Sequence, residues 1–353
     1  MQIESTTTEL TQLPGLEAPA TGAVPSPERF IERGPWKRLM LFAGRSHPEL
    51  AARIAETLGV ELGEITLKTF ANGETYCRYN ESIRGADVFL VQTGSKPVDQ
   101  HLMELLIMID AAKLASAKRI TAVLPLYHYS RQDKKSRPRE PITAKLVAEM
   151  LQTAGADRVL TMDLHAGQVQ GFFSIPVDHM TAVPMFAQYF RDLGLSEELV
   201  AVAPDVGRSK LASRFGEMLN TDLAVLVKER PAHNVAEITN VIGDVQGKCA
   251  IMIDDMVDTA GSLVAAAESL KEHGAIRVFA CATHGLFSEN ALDRIADSVI
   301  DRLVVTDTVP IDPVQKPDNV SVLTVSGILA ETIMNVFGDE SVSAIFAGEN
   351  QLF

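Results

Sequence analysis

Cysteine is scarce in this chain. Of 353 residues only three are cysteines, Cys77, Cys249 and Cys281. They are scattered, without metal-ligand spacing or a disulfide framework, so a reducing compartment, the cytoplasm, is expected. No run of about 18 uncharged apolar residues occurs, which excludes a transmembrane helix. The longest mainly apolar stretch, 102–115, is interrupted by Glu104, Asp110 and Lys113 and reads as a largely buried amphipathic helix. The N-terminus lacks the basic region and apolar core of a secretory signal. Positive charge is also in short supply. Lys and Arg number 32 against 46 Asp and Glu, a formal net charge of −14. That argues against general nucleic-acid binding, and it means that an anionic ligand needs metal ions or local basic groups to hold it.

Hydrophobic residues make up 46% of the chain, the ordinary globular range, and the length allows two domains. Residues 1–36, rich in Thr, Pro, Ala and Gly, read as a mobile extension. From Lys37 onward short apolar runs alternate with helical stretches. The runs fall at 38–42, 87–92, 119–125, 158–162, 199–203, 223–227, 249–253, 277–281 and 303–305. Ser46 is expected to cap a helix over 47–58 that Gly59 stops. Strands buried on both faces and separated by helices imply parallel sheets in an α/β fold. Two such domains are expected, 37–180 and 181–337, with 338–353 joining the first.

The sharpest local signal is Ala250-Ile251-Met252-Ile253-Asp254-Asp255-Met256-Val257-Asp258-Thr259-Ala260-Gly261-Ser262. An apolar strand ends in two acids, a short loop carries hydroxyls and glycine, and a helix follows. Free backbone N–H groups, two hydroxyls and the positive end of a helix thus surround one point, which suits a phosphate monoester. Asp254 and Asp255 lie at the strand end, where an α/β sheet binds its ligand, and carboxylates there suit hydroxyl donors such as those of a ribose. An ordinary capped strand–turn–helix rarely carries two adjacent acids, a third acid and this hydroxyl set together.

This loop resembles the phosphoribosyl-pyrophosphate motif shared by phosphoribosyltransferases and ribose-phosphate pyrophosphokinases. Other segments resemble the second family: Ser46-His47-Pro48-Glu49, Phe70-Ala71-Asn72-Gly73-Glu74, Tyr129-Ser130-Arg131-Gln132-Asp133, Met162-Asp163-Leu164-His165-Ala166 and Val305-Thr306-Asp307-Thr308. The resemblance runs from about residue 37 to the end. It implies two phosphoribosyltransferase-like α/β domains, each a mainly parallel sheet flanked by helices. It also implies transfer of pyrophosphate from ATP to ribose 5-phosphate with Mg²⁺, in a homo-oligomer of dimer units, a hexamer by resemblance, with no nucleic acid or membrane as partner.

Carried over by motif, Arg131 and Gln132 contact ATP, and Asn72, Gly73 and Glu74 reach a neighbouring subunit's adenine. His165 and Asp205 help hold Mg²⁺. Lys228 and Arg230, on a flexible loop, are catalytic. Arg230, Asp254, Asp255, Asp258, Thr259, Ala260, Gly261 and Ser262 hold ribose 5-phosphate. Taken singly, each has a plainer reading: Arg131 in a solvated turn, His165 as a structural histidine, Lys228 and Arg230 as surface charges. His128 reads as structural, and Cys249, Cys281 and His284 as core residues rather than a metal cluster.

Three departures stand out. Asn72 takes the place of a common Asp, and Glu229 that of a basic residue. In Pro204-Asp205-Val206-Gly207-Arg208 the family's second glycine is missing and the loop is shorter. Arg208 then either contacts the polyphosphate in place of backbone N–H groups or faces solvent, and the shortage of positive charge favours the first. Two rivals remain: a phosphoribosyltransferase, which has no use for the ATP-like segments, and a catalytically dead regulatory homologue, which the altered loop supports.

Overall fold

The structure, a computed structural model, describes residues 37–232 and 235–342, apart from the side chains of 228–239. The expected extension, 1–36, and the last residues, 343–353, lie outside the described residues.

The first sheet uses strands whose residues are apolar on both faces. β1 (Leu39–Ala43) leads to helix α1 (Pro48–Leu58), a hairpin of β2 (Ile65–Thr69) and β3 (Thr75–Tyr79), then β4 (Asp87–Val91), α2 (Val98–Leu114) and β5 (Arg119–Leu124). Helix α3 (Thr143–Ala154), β6 (Arg158–Met162) and β7 (Val177–Met180) complete this half, and α4 (Val183–Asp192) leads out of it. The sheet order is β1-β4-β5-β6-β7, parallel throughout. All of β4 is buried, as a strand covered by helices on both faces must be.

The second half runs β8 (Leu199–Ala203), α5 (Ser209–Leu219), β9 (Asp222–Ala232), β10 (Val235–Ile242), β11 (Cys249–Val257), α6 (Gly261–Glu272) and β12 (Arg277–Gly285). It ends with α7 (Ala291–Ala296), β13 (Arg302–Thr306), β14 (Val320–Leu323) and α8 (Ser326–Gly338). Its sheet order is β10-β9-β8-β11-β12-β13-β14, with only the β9–β10 pair antiparallel. The expected α/β class with parallel sheets is therefore what the chain adopts.

One apolar cluster crosses both halves, joining Leu41, Leu50 and Phe186 to Phe215, Phe279 and Leu329. Each fully buried side chain of this size stabilises by roughly 1.5–3 kcal/mol. Phe190 stacks edge-on with Phe215 and Phe279 at 6.1 and 5.8 Å between ring centres. Polar ties follow the same path. Arg53 Nη1 donates to Asp307 Oδ2 at 2.7 Å, and Thr93 Oγ1 donates to the Thr308 carbonyl at 2.6 Å. Two of the family-like segments, at 46–49 and 305–308, thus lie beside inter-half ties.

Two local expectations are corrected. Ser46 does not cap α1. His47 is the cap, its Nδ1 accepting from the Leu50 N–H, while Ser46 Oγ accepts from the Thr93 N–H at 2.7 Å. Gly59 closes the helix in the left-handed conformation, φ +69°. Secondly, the segment from Lys228 is not an open loop in its backbone. It continues β9 to Ala232 and returns as β10. β9 pairs with β8 only through Val225, so the rest is a two-stranded ribbon, and Pro231 falls in an irregularity of its register. An irregular ladder is where a residue without an N–H does least harm.

Candidate active site

β11 carries buried Ile251, Met252 and Ile253 and then delivers Asp254 and Asp255 at its C-terminal end. The strand runs on to Val257, so the acids belong to its last regular residues. Asp258 and Thr259 follow, and the chain turns at Ala260, a buried non-glycine residue at φ +62°. That is costly backbone for an L residue, and it sets the first turn of α6 against the strand end. Among the described residues no side chain caps α6. Its leading N–H groups have no intrahelical acceptor, Gly261 and Ser262 are exposed, and the helix dipole favours an anion there.

Other strand ends converge on the same place. His165 follows β6, and its Nδ1 lies 2.7 Å from Asp255 Oδ2. A carboxylate can only accept, so this hydrogen bond is made by the form of the ring that carries a proton on Nδ1. Asp205 follows β8 and opens a tight turn, Val206–Arg208. From the end of that turn Arg208 reaches inward. Its Nε is 2.9 Å from Asp254 Oδ1, its Nη2 donates to Asp255 Oδ1, and its Nη1 donates to the His165 carbonyl at 3.2 Å. On the other side Arg131 Nη1 donates to Asp258 Oδ2 at 2.6 Å.

The two adjacent acids are driven apart electrostatically. Burial pushes the Asp254 carboxyl up to about 8, and hydrogen bonding and charge repulsion from Asp255 add to it, Arg208 only partly offsetting them. Burial acts on Asp255 too, but the His165 hydrogen bond and the Arg208 charge hold it down at about 2. The pair titrates as a unit. Asp258 is also held low: its burial is outweighed by hydrogen bonds from Ser288 and Arg131.

Two cavities meet here. One, of ≈240 Å³, is lined by Arg131, Asp205 and the 256–260 loop. The other, of ≈270 Å³, extends behind it between Asp163, His179, Lys210 and Thr283. His165, Arg208, Asp254 and Asp255 line both and form the wall between them.

The structure thus brings together Arg131, His165, Asp205, Asp254, Asp255, Asp258, Thr259, Ala260 and Ser262, all lining the smaller cavity, with Gly261 between the last two. Gln132 sits beside Arg131, its backbone carbonyl accepting from the Ala144 N–H at 3.1 Å. Asn72, Gly73 and Glu74 form the exposed turn of the β2–β3 hairpin and line neither cavity. The backbone of Lys228 and Arg230 lies in β9, and their side chains are outside the described residues. Arg208 neither faces solvent nor stands free for a phosphate. It is bound to the acids.

Sequence reasoning gave no role to Asp163, which is buried at φ +28° and accepts from Thr283 Oγ1 at 2.5 Å and the Ala182 N–H at 2.8 Å. His284 lies 2.8 Å from Thr308 Oγ1 and 3.1 Å from the Asp163 carbonyl. This network braces the β6 end that carries His165, and the sequence signals for it were the position of Asp163 just past an apolar run and its place in a family-like segment with His165. Cys249 and Cys281 are buried in the core, as expected.

His165 and Asp205 both line the smaller cavity and offer a divalent ion two donors, the His165 Nε2 and the Asp205 carboxylate. Among the described residues no three His, Cys, Asp or Glu side chains converge as a metal cluster. His165 uses Nδ1 toward Asp255, which orients Nε2 as the ring's ligating nitrogen, and the cation among the carboxylates is the Arg208 guanidinium.

Known proteins of similar sequence bear on this site. The sequence model for the N-terminal domain of ribose phosphate pyrophosphokinase matches residues 39–155, and that of the phosphoribosyl synthetase-associated domain matches 224–347. The ribose-phosphate pyrophosphokinase of Caldanaerobacter subterraneus subsp. tengcongensis is 51% identical over 308 residues, 87% of this chain and 98% of that protein. That of Clostridium acetobutylicum is 50% identical over 314 residues, 89% of this chain and 98% of the relative. The crystal structure of phosphoribosylpyrophosphate synthetase from Mycobacterium smegmatis superposes with a TM-score of 0.82 at 46% identity, covering 86% of this chain and all of that one.

Proposed function

This chain belongs to the ribose-phosphate pyrophosphokinase family, and from that premise we infer that it transfers the pyrophosphoryl group of ATP to the 1-OH of ribose 5-phosphate. The products are 5-phosphoribosyl 1-pyrophosphate and AMP, for nucleotide biosynthesis. The observation that carries this reading to particular residues is the convergence on one cavity of the acid pair, the uncapped α6 N-terminus and Arg131.

In this reading the 5-phosphate rests on the N–H groups and hydroxyls of 258–262, and the ribose hydroxyls donate to Asp254 and Asp255. Arg131 and Gln132 hold ATP. Because Arg131 is tied to Asp258, the nucleotide side and the sugar-phosphate side are aligned through one ion pair. Displacement at phosphorus asks mainly for such alignment and for stabilisation of charge. Lys228 and Arg230, on the β9–β10 ribbon, supply positive charge to the transferring phosphates.

We assign Mg²⁺ as the divalent ion, which offsets phosphate charge when bound. Mg²⁺ commonly takes substrate phosphate oxygens with only one or two protein groups, and His165, through Nε2, and Asp205 would be those groups. The two lobes are assigned to 37–180, on the ATP side, and 181–337, on the sugar-phosphate side, with the C-terminal segment joining the first. The site is assigned to a homo-oligomer in the cytoplasm, and among the described residues no helix is long and apolar enough to cross a membrane.

The test is direct. Purified protein with ATP, Mg²⁺ and ribose 5-phosphate should form AMP and 5-phosphoribosyl 1-pyrophosphate in equal amounts. Asp254→Asn with Asp255→Asn should remove most of that activity. Absence of AMP from wild type, or AMP formation that does not depend on ribose 5-phosphate, would sink the assignment.

A further inference from the structure

The residue with the least expected position is Arg208. It comes from the turn that Asp205 opens, and its side chain is about one-fifth exposed. Three donor nitrogens of one guanidinium are engaged: Nε with Asp254, Nη2 with Asp255 and Nη1 with the His165 carbonyl. Nη2 also lies 3.0 Å from His165 Nδ1. A planar fork that contacts two carboxylates at once is a strong charge-assisted arrangement. It also takes an oxygen of each acid where both open onto the two cavities, which Arg208, Asp254 and Asp255 all line.

We propose that Arg208 is a tethered, displaceable cation that closes the acid pair in the ligand-free protein. A sugar diol or a divalent cation gains Asp254 and Asp255 only when the guanidinium leaves. Three features argue for it. Two acids side by side at one strand end repel each other, and Asp255, which is buried, needs a counter-charge. The chain supplies that charge from within, through a long flexible side chain on a turn rather than from a strand. Arg208 also lines the smaller cavity beside Arg131 and the α6 N-terminus, so an arriving phosphate chain offers the guanidinium a second set of acceptors close at hand. The roles of the acid pair rest on the proposed function, whereas the closing contact itself is independent of it.

Competition sets the expected size of the effect. When the open form is only a fraction of the population, apparent affinity falls by that fraction, and removing the competitor restores it. The probe is Mn²⁺ alone, titrated into the full-length protein without nucleotide or sugar and followed by the electron paramagnetic resonance of the free ion. Arg208→Met keeps the bulk of the side chain and removes the charge, and it should bind one Mn²⁺ at least about fivefold more tightly than wild type. Adding Asp255→Asn to that variant should abolish the gain, which places the new affinity at the acid pair. Arg208→Lys, with a single point of contact, should shift binding the same way by less, and it serves in place of the Met variant should that one misfold. Unchanged or weaker Mn²⁺ binding in folded Arg208→Met overturns the proposal, as does a gain that survives Asp255→Asn. No turnover enters this measurement, so a failure of the wild type to make AMP would overturn the proposed reaction and leave the Arg208 result to stand on its own.

Discussion

His128 is 1% exposed, and among the described residues neither of its ring nitrogens meets a hydrogen-bond partner. Burial lowers its pKa to about 3, the nearby His101 lowers it further and Asp99 opposes both. The folded protein therefore keeps this imidazole neutral where an unfolded chain, at the ordinary 6.5, takes up a proton. The stability that neutral His128 allows is complete above pH 6.5 and is lost as pH falls from there toward about 3. The slope for one such group is at most about 1.4 kcal/mol per pH unit. His128→Leu, similar in volume and unable to ionise, should remove this slope. Urea unfolding at pH 7, 5.5 and 4.5 should show wild type losing stability relative to the variant as the pH drops. Parallel losses in the two proteins would mean that His128 is not the group responsible.

At the scale of elements, the last helix is fixed to the first sheet. Arg119, at the start of β5, reaches Asp87 of β4 at 2.6 Å, Asp339 at the end of α8 at 2.9 Å, and the Val336 carbonyl at 3.0 Å. Lys37 also pairs with Asp339. Hydrogen bonds from Lys37 and Arg119 hold the Asp339 carboxyl at about 2, below its ordinary 3.8. The contribution of this tie is therefore full above about pH 4 and disappears as pH falls toward 2. The carboxylate is exposed, so the effect is small. Asp339→Asn should lower the melting temperature at pH 7 and should match wild type increasingly closely in melts at pH 4, 3 and 2. A gap that is constant across that series would assign the loss to something other than the ion pairs.

Elements differed in how plainly the sequence announced them. β4, β5, β6 and β8 are mainly apolar runs with no charge after the first residue, and burial on both faces makes such runs legible. β2, β3, β7 and β14 are short or half-exposed, and nothing in their own residues distinguishes them from connecting chain. The ribbon of β9 and β10 was hidden by Glu229, Arg230 and Pro231, which read locally as a loop. The hydroxyl-rich turn after the acid pair was legible because its chemistry is local to a dozen residues. The destination of Arg208 was not. Its partners stand 43 and 47 positions away on two different strand ends, and a long side chain leaves no trace of its target in its own neighbourhood.

For the whole molecule, the position of Asn72, Gly73 and Glu74 matters most. They cap an exposed hairpin, Gly73 at φ +92° in the turn, and they line neither cavity beside Arg131. Phe70 at the same tip is 46% exposed. If this turn contributes to an ATP site, it does so in a neighbouring subunit, so each complete site draws Lys228 from one chain and Glu74 from another. Lys228→Ala should lower kcat by about 10²–10³, the scale of a charge contact made in the transition state. Glu74→Ala should act on the ATP side. Neither variant is active alone in this scheme, yet a mixture regains activity, because a mixed dimer pairs the intact Lys228 side of one chain with the intact Glu74 of the other. Random exchange makes about half of all dimers mixed, each with one whole site of two, so an equimolar mixture should recover roughly a quarter of wild-type activity. The measurement is AMP formation after the two variants are unfolded and refolded together, with tagged chains to show that mixed oligomers have formed. Activity that stays at the level of the separate variants, in the presence of proven mixed oligomers, would place Asn72 to Glu74 outside any shared site.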